Sequence, residues 1–85
     1  SLLTGGFPNP ATNNATVKIM IPSEQEISLK LYDTNGKLIK DVFKGKESAG
    51  THEYSVSLED ISAGIYYFRF ETQKSISGKK FVVIK

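Results

Sequence analysis

The sequence has no cysteine and no tryptophan among its 85 residues, and it has one histidine, His52. Without cysteine there is neither a disulfide framework nor a thiolate metal site, and one histidine cannot form a multi-histidine site. No apolar run approaches the roughly 20 residues that a transmembrane helix needs, and no signal-peptide pattern is visible, so any N-terminal export signal must lie upstream. We therefore expect no cofactor, no metal ion and no transmembrane segment.

The ionisable residues form no recognisable catalytic pattern. Nucleophilic and acid–base catalysis need a base near a nucleophile or two carboxylates at a fixed separation. His52 has the same parity as Tyr54 and Val56, which favours a place at the end or rim of a strand. The net charge is only +2, and most aromatic rings fall at positions predicted to be buried, which argues against a nucleic-acid groove. We predict that the protein is not an enzyme and binds no nucleic acid.

Apolar and polar residues alternate along most of the chain. The alternation is clear in residues 17–21, 27–32 and 54–58, and a period of two is typical of strands with one buried face. In the stretch GIYYFRFET, Arg69 and Glu71 should face water, which places the aromatic residues between them in the core. That alternation buries Tyr66, Phe68 and Phe70 and exposes Ile65 and Tyr67.

The stretch Asp33-Thr34-Asn35-Gly36 predicts a hairpin turn, because Asn-Gly tolerates the positive φ of tight turns. Two registers compete. A two-residue loop pairs Leu31 with Lys40, whereas a type I turn with Gly36 as a left-handed bulge residue shifts the pairing by one. We favour the bulged register, because directly opposed residues share a face. It pairs Leu31 with Ile39 and Tyr32 with Leu38.

Irregular segments divide the remaining strands. We expect a second bulge or an edge position beyond Ile39, a polar connection from Gly45 to Gly50, and a turn at residues 62–64. A last strand should run from about Lys79 to Ile84, with no buried face declared by its pattern. Six patterned strands and no helical segment predict an all-β fold, an antiparallel sandwich or barrel.

Two prolines precede the first strand in FPNPATNN. Each proline fixes its own φ and pushes the preceding residue out of the helical region, so Pro8, Asn9 and Pro10 must be extended or turned. The preceding residues 1–6, SLLTGG, have the composition of a linker. We predict a linker at residues 1–6 and one β domain at residues 7–85.

Four segments in order, FPNPATNNATVKI, ISLKLYDTNGKLI, SAGTHEYSVSLEDISAGIYYFRF and GKKFVVIK, carry a resemblance to a known family. Together they resemble the type A C-terminal sorting domain of the type IX (Por) secretion system. The similarity covers about residues 7–85. Single segments also occur in related bacterial immunoglobulin-like modules, so their order, spacing and terminal position carry the resemblance.

The resemblance implies an immunoglobulin-like antiparallel β-sandwich of about seven strands with no activity of its own. It would direct an attached cargo domain from the periplasm through outer-membrane translocon components, and a sortase-like protease would then usually remove it at the cell surface. The seventh strand would lie near residues 11–14 or 45–48. The motif residues would be Pro8, Asn9, Pro10, Asp33, Gly36, Gly64 and Tyr66. The recognised signal would be Lys79, Lys80, Phe81, Val82, Val83, Ile84 and Lys85.

Alternatives stay open for the terminal lysines and for the function. Lysines guard edge strands against aggregation, and they can equally select a partner electrostatically when a terminal strand is bound by β-augmentation. The alternative function is a noncatalytic accessory module of a secreted enzyme or adhesin. Such a module would be a spacer, or it would stack sugars on Tyr32 and Tyr67.

Overall fold

A computed structural model describes residues 2–4 and 13–85, which form two antiparallel sheets. The strands are β1 Leu2–Thr4, β2 Asn14–Ile21, β3 Gln25–Asp33, β4 Leu38–Glu47, β5 Gly50–Ser57, β6 Gly64–Thr72 and β7 Ile76–Val83. One sheet has the order β1-β2-β5 and the other the order β4-β3-β6-β7. No helix occurs in the described residues, and the predicted all-β, immunoglobulin-like sandwich is confirmed.

Six strands are long and the seventh is the three-residue β1. The seventh strand was expected near residues 11–14 or 45–48. Instead it lies in the segment predicted to be a linker, where Leu2 pairs with Met20 of β2. Side chains at both ends of residues 45–48 belong to longer strands, so no separate strand forms there.

The core is the space between the two sheets, and it is filled by the alternating apolar residues of the long strands. The buried residues are Ala15, Val17, Ile19, Ile21, Ile27, Leu29, Leu31, Val56, Leu58, Ile61, Tyr66, Phe68, Phe70, Phe81 and Val83. The rings of Phe68 and Phe81 stack with their centroids 4.7 Å apart. Each fully buried large side chain contributes about 1.5–3 kcal/mol of transfer free energy, so this single core determines the sandwich.

The β3–β4 turn has the predicted left-handed glycine. Gly36 has a φ of 82°, and its amide donates to the carbonyl of Asp33 at 3.1 Å. The Asp33 carboxylate accepts hydrogen bonds from the amides of Asn35 at 2.9 Å and Lys37 at 3.0 Å. The turn therefore consists of a side-chain-capped loop closed by a residue that only glycine fits without strain.

The register beyond this turn is predicted only in part. Tyr32 pairs with Leu38 as expected, but Leu31 pairs with Lys40 and not with Ile39, because the register shifts between Leu31 and Tyr32. A second shift follows between Leu29 and Lys30, as expected for an irregular edge strand. The residues that these two bulges insert, Ile39 and Val42, pack against the core.

The segment from Gly45 to Gly50 is mostly strand, so the predicted polar connection is wrong. Strand β4 continues to Glu47 and β5 begins at Gly50. Both strands border their sheets, and edge positions tolerate polar residues that a sequence pattern assigns to a loop. The rings of Phe43 and Tyr54 meet with centroids 5.1 Å apart, which joins the two sheets where the chain crosses between them.

Strand β6 has the predicted faces, with Tyr66, Phe68 and Phe70 buried and Ile65 and Tyr67 exposed. Strand β7 resolves the undeclared face of the last strand. It begins at Ile76, before the predicted Lys79, and Phe81 and Val83 point into the core.

Candidate functional site

Strand β7 lies at the border of the four-stranded sheet, beside β6. Its eight pairs with β6 run from Ile76 opposite Glu71 to Val83 opposite Gly64 without a register shift. The opposite border, β4, carries the two register shifts described above. Strand β1 also contacts β7. The regular border of this sheet is therefore the strand predicted to carry the sorting signal.

The predicted signal residues divide into two groups. Phe81 and Val83 are 0% and 1% exposed and belong to the core. Val82 is half-buried on the opposite face. The remaining four residues, Lys79, Lys80, Ile84 and Lys85, are exposed. Only the exposed residues can present whole side chains to a partner, whereas Phe81 and Val83 hold the strand on the sandwich.

The two neighbouring lysines of β7 point in opposite directions. Lys79 lies opposite buried Phe68 and so has the inward parity, yet it is exposed at the border. Lys80 lies opposite Tyr67 on the outer face of the sheet. An inward-pointing charge on an edge strand opposes sheet-to-sheet aggregation. A partner strand that pairs with this border has to accommodate the ammonium of Lys79.

The chain end is tied to the loop between β5 and β6. The Lys85 ammonium donates to the carbonyl of Leu58 at 2.6 Å. The Lys40 ammonium, from the other border of the same sheet, donates to the carbonyl of Ser57 at 2.7 Å and lies 2.8 Å from the Asp60 carboxylate. The hydrogen bond from Lys40 is the main cause that lowers the pKa of Asp60. These contacts fix where the terminal residues lie.

Gly64 and Tyr66 form a corner at the start of β6. Gly64 has a φ of 155°, which L residues rarely adopt. The hydroxyl of buried Tyr66 donates to the carbonyl of Ser62, four residues earlier, at 2.7 Å. A tyrosine that hydrogen-bonds back to the chain at this corner is a hallmark of immunoglobulin-like sandwiches. Like Asp33 and Gly36, these two motif residues lie in contacts that build the fold. Pro8, Asn9 and Pro10 lie outside the described residues.

A polar cluster joins β4 and β5 next to the crossing point. The Tyr54 hydroxyl donates to the Glu47 carboxylate, which lies 3.6 Å from Nδ1 of His52. His52 Nε2 is 2.8 Å from the carbonyl of Ser48. Burial, together with the adjacent Glu47, raises the pKa of Tyr54. These groups satisfy one another, so the arrangement is that of a structural network, and His52 occupies the predicted rim position.

Within the described part of the chain, no three histidine or acidic side chains converge as metal ligands would. Among the same residues, no helix is long and apolar enough to cross a membrane.

The outer face of the four-stranded sheet carries a shallow groove. Its lining includes Tyr32, Tyr67, Arg69, Ile76, Ser77 and Gly78, and its volume is about 440 Å³. Sequence reasoning named the two tyrosines but missed the β7 residues. The missed signal was a glycine, Gly78, inside a strand opposite Arg69.

Comparison with known families assigns the fold a role. The family model described as "Secretion system C-terminal sorting domain" matches residues 6–85. The chain belongs to this family. This sorting domain is therefore a C-terminal secretion signal of the type IX secretion system, and the protein that carries it is exported to be secreted or surface-attached. No curated protein matches the chain.

The sorting domain is also similar to part of a solved structure. That structure is PorZ, described as an essential bacterial surface component of the type-IX secretion system of Porphyromonas gingivalis. The similarity has a TM-score of 0.65 at 20% identity and covers 92% of this chain and 11% of that chain. The sorting domain thus spans about a tenth of the length of PorZ, and at this identity the likeness shows the fold.

Proposed function

We propose that this sorting domain is a noncatalytic address, and that translocon components bind the exposed part of β7 together with Ile84 and Lys85. The observation that carries the proposal is the position of β7 as a regular border strand with exposed lysines. The predicted partners follow from the family. They are outer-membrane translocon components, a sortase-like protease that removes the domain, and an upstream cargo domain that crosses the periplasm.

The noncatalytic role is supported by how the ionisable side chains are used. The Tyr54, Glu47 and His52 groups contact one another and the backbone. Lys40 and Asp60 form an ion pair at the sandwich end. Neither cluster lines the groove on the outer face of the sheet. A small core of this kind leaves little free energy to hold a deep polar pocket.

Binding by β-augmentation adds a strand to a sheet border, and it needs a border without bulges. Strand β4 does not meet this requirement, because two register shifts interrupt it. Strand β5 is regular, but it carries Glu53 where β7 carries lysines. The two regular borders therefore differ in charge. An acidic partner would discriminate between them.

A reporter protein fused to this chain in a bacterium with a type IX system tests the proposal. Removing Val82–Lys85 should leave the reporter in the periplasm, and unchanged surface delivery would refute the sorting role. The truncation also removes buried Val83, so lost delivery could follow from unfolding. Charge reversal at two exposed positions, Lys79→Glu with Lys80→Glu, avoids this problem.

The matched control is Lys44→Glu with Lys46→Glu, which changes two exposed lysines on the opposite border of the same sheet. Both double variants alter the net charge equally and should fold. We expect surface delivery to fall about tenfold for the β7 variant alone, since charges at an interface control encounter and selectivity. Equal losses in the two variants would mean that net charge, and not the β7 border, is recognised.

A further inference from the structure

The groove on the outer face, which we call the tyrosine groove, is built around two opposed aromatic residues. Tyr32 of β3 lies directly opposite Tyr67 of β6, so their rings share the outward face. Tyr67 is 40% exposed. The Arg69 guanidinium lies 5.9 Å from the centre of the Tyr32 ring. A flat sheet with exposed rings offers a stacking platform.

Gly78 keeps one side of this platform open. It lies on β7 directly opposite Arg69, so a side chain here would project over the groove. An added Cβ would also come within 3.3 Å of the Phe68 carbonyl oxygen. Glycine within a strand weakens the strand and often marks a place where a ligand approaches the backbone. The groove is therefore shaped by a residue that costs stability.

Hydroxyl groups surround the rings. Tyr32, Tyr67, Thr34 and Ser77 line the groove, and none of their hydroxyls is hydrogen-bonded to another residue in ranges 2–4 and 13–85. Each hydroxyl can donate and accept. Arg69 uses its Nε to bind Glu71 at 2.9 Å, which orients the rest of the guanidinium. Beside the groove, Asp33 has one carboxylate oxygen engaged in the turn.

This combination favours a ligand that has a flat apolar face and many hydroxyls at its edge. A peptide strand presents amides and would need a sheet border, whereas the groove lies on a sheet face. A nucleic-acid base would need a strongly positive surround, yet Arg69 is paired with Glu71 and Asp33 lies beside it. A pyranose ring meets both requirements.

We propose that the tyrosine groove binds a saccharide, with a pyranose ring stacked on Tyr67 and its hydroxyls bonded to Tyr32, Ser77 and Arg69. This binding is separate from the sorting role, because it uses the face of the sheet and not the border of β7. The chain would then hold its cargo near glycan as well as address it.

Titration of the isotope-labelled chain with cello-, chito-, xylo- and manno-oligosaccharides, followed by amide NMR shifts, tests the proposal. At least one of these should shift amides of the groove, with a Kd of about 0.1–1 mM, as expected for a shallow site. Tyr67→Ala should weaken that binding about tenfold, since an aromatic stack contributes about this factor. Gly78→Val should do the same by filling the groove while it leaves both rings in place.

Ile65→Ala is the control, because Ile65 is exposed on the same face of β6 but does not line the groove. It should leave the affinity unchanged. No shifts with any of the four oligosaccharides, or equal weakening by Ile65→Ala and Tyr67→Ala, would overturn the proposal. In the reporter assay, Tyr67→Ala should be delivered normally. Lost delivery of this folded variant would instead assign the groove to the translocon and also overturn the saccharide role.

Discussion

Removing the hydroxyl of Tyr66 separates a structural role of this motif residue from a role in recognition. In the Tyr66→Phe variant the ring keeps its place, 6.1 Å from the Phe81 ring, and only the bond to the Ser62 carbonyl is lost. The next residue supplies the control. Tyr67 is exposed, and its hydroxyl has no hydrogen-bond partner among the described residues.

The expected cost follows from the geometry of the lost bond. A short, partly buried hydrogen bond contributes about 0.5–1.5 kcal/mol net, and the Ser62 carbonyl can bind water afterwards because Ser62 is exposed. For a domain of this size, about 1 kcal/mol lowers Tm by about 4–8 °C. Total stability is about 3–5 kcal/mol, so the loss is a substantial fraction.

Urea and thermal unfolding of Tyr66→Phe and Tyr67→Phe measure the difference. Tyr67→Phe should stay within about 0.5 kcal/mol of the parent, as surface changes usually do. Reporter delivery of Tyr66→Phe should be normal at temperatures where the domain is folded. The reasoning fails if the two variants are equally stable, or if folded Tyr66→Phe is not delivered.

Three further predictions concern the turn and the two shifted ionisable groups. Gly36→Ala should cost about 1–2 kcal/mol in urea unfolding, because its φ of 82° is left-handed, and Gly36→Asn should cost less. The lowered pKa of Asp60 means that its contribution to stability is present above the unfolded pKa and lost as pH falls through the folded pKa. Unfolding curves of the parent and Asp60→Asn should therefore converge below about pH 3, and a gap that persists there would contradict the ion pair with Lys40. The raised pKa of Tyr54 has the opposite consequence, because its contribution is present below the unfolded pKa and lost as pH rises above about 10. Stability of the parent should therefore fall more steeply between about pH 9 and 11 than that of Tyr54→Phe, and parallel curves would argue against the buried contact with Glu47.

Strands with one clean buried face were predictable from the sequence, and border strands were not. Alternation gave the faces of β6 because Arg69 and Glu71 marked the outward positions. Strand β4 obscured its own pattern, since its two bulges put Ile39 and Val42 against the core out of phase. The same edge position made residues 45–47 polar, which removed the hydrophobic signal for strand. Pairing across the sheet, and not local propensity, decided both places.

The candidate site was predictable by segment but not by residue. Terminal position and family resemblance indicated residues 79–85. The partition between buried Phe81 and exposed Lys80 depends on which face β6 offers to β7, and FVVI fits either choice. Gly78 was noted only as a possible phosphate loop. Its place opposite Arg69 becomes visible once the strands are paired.

The same lysine can protect the border of β7 and select its partner. Lys79 points inward at an exposed border, so a second copy of this strand would bring two ammonium groups together in a confined place. An acidic partner would instead neutralise the charge as it pairs. Lys79→Ala should therefore increase self-association and reduce delivery in the same variant, as measured by light scattering and by the reporter. If delivery falls while the variant remains monomeric, Lys79 acts in selection alone.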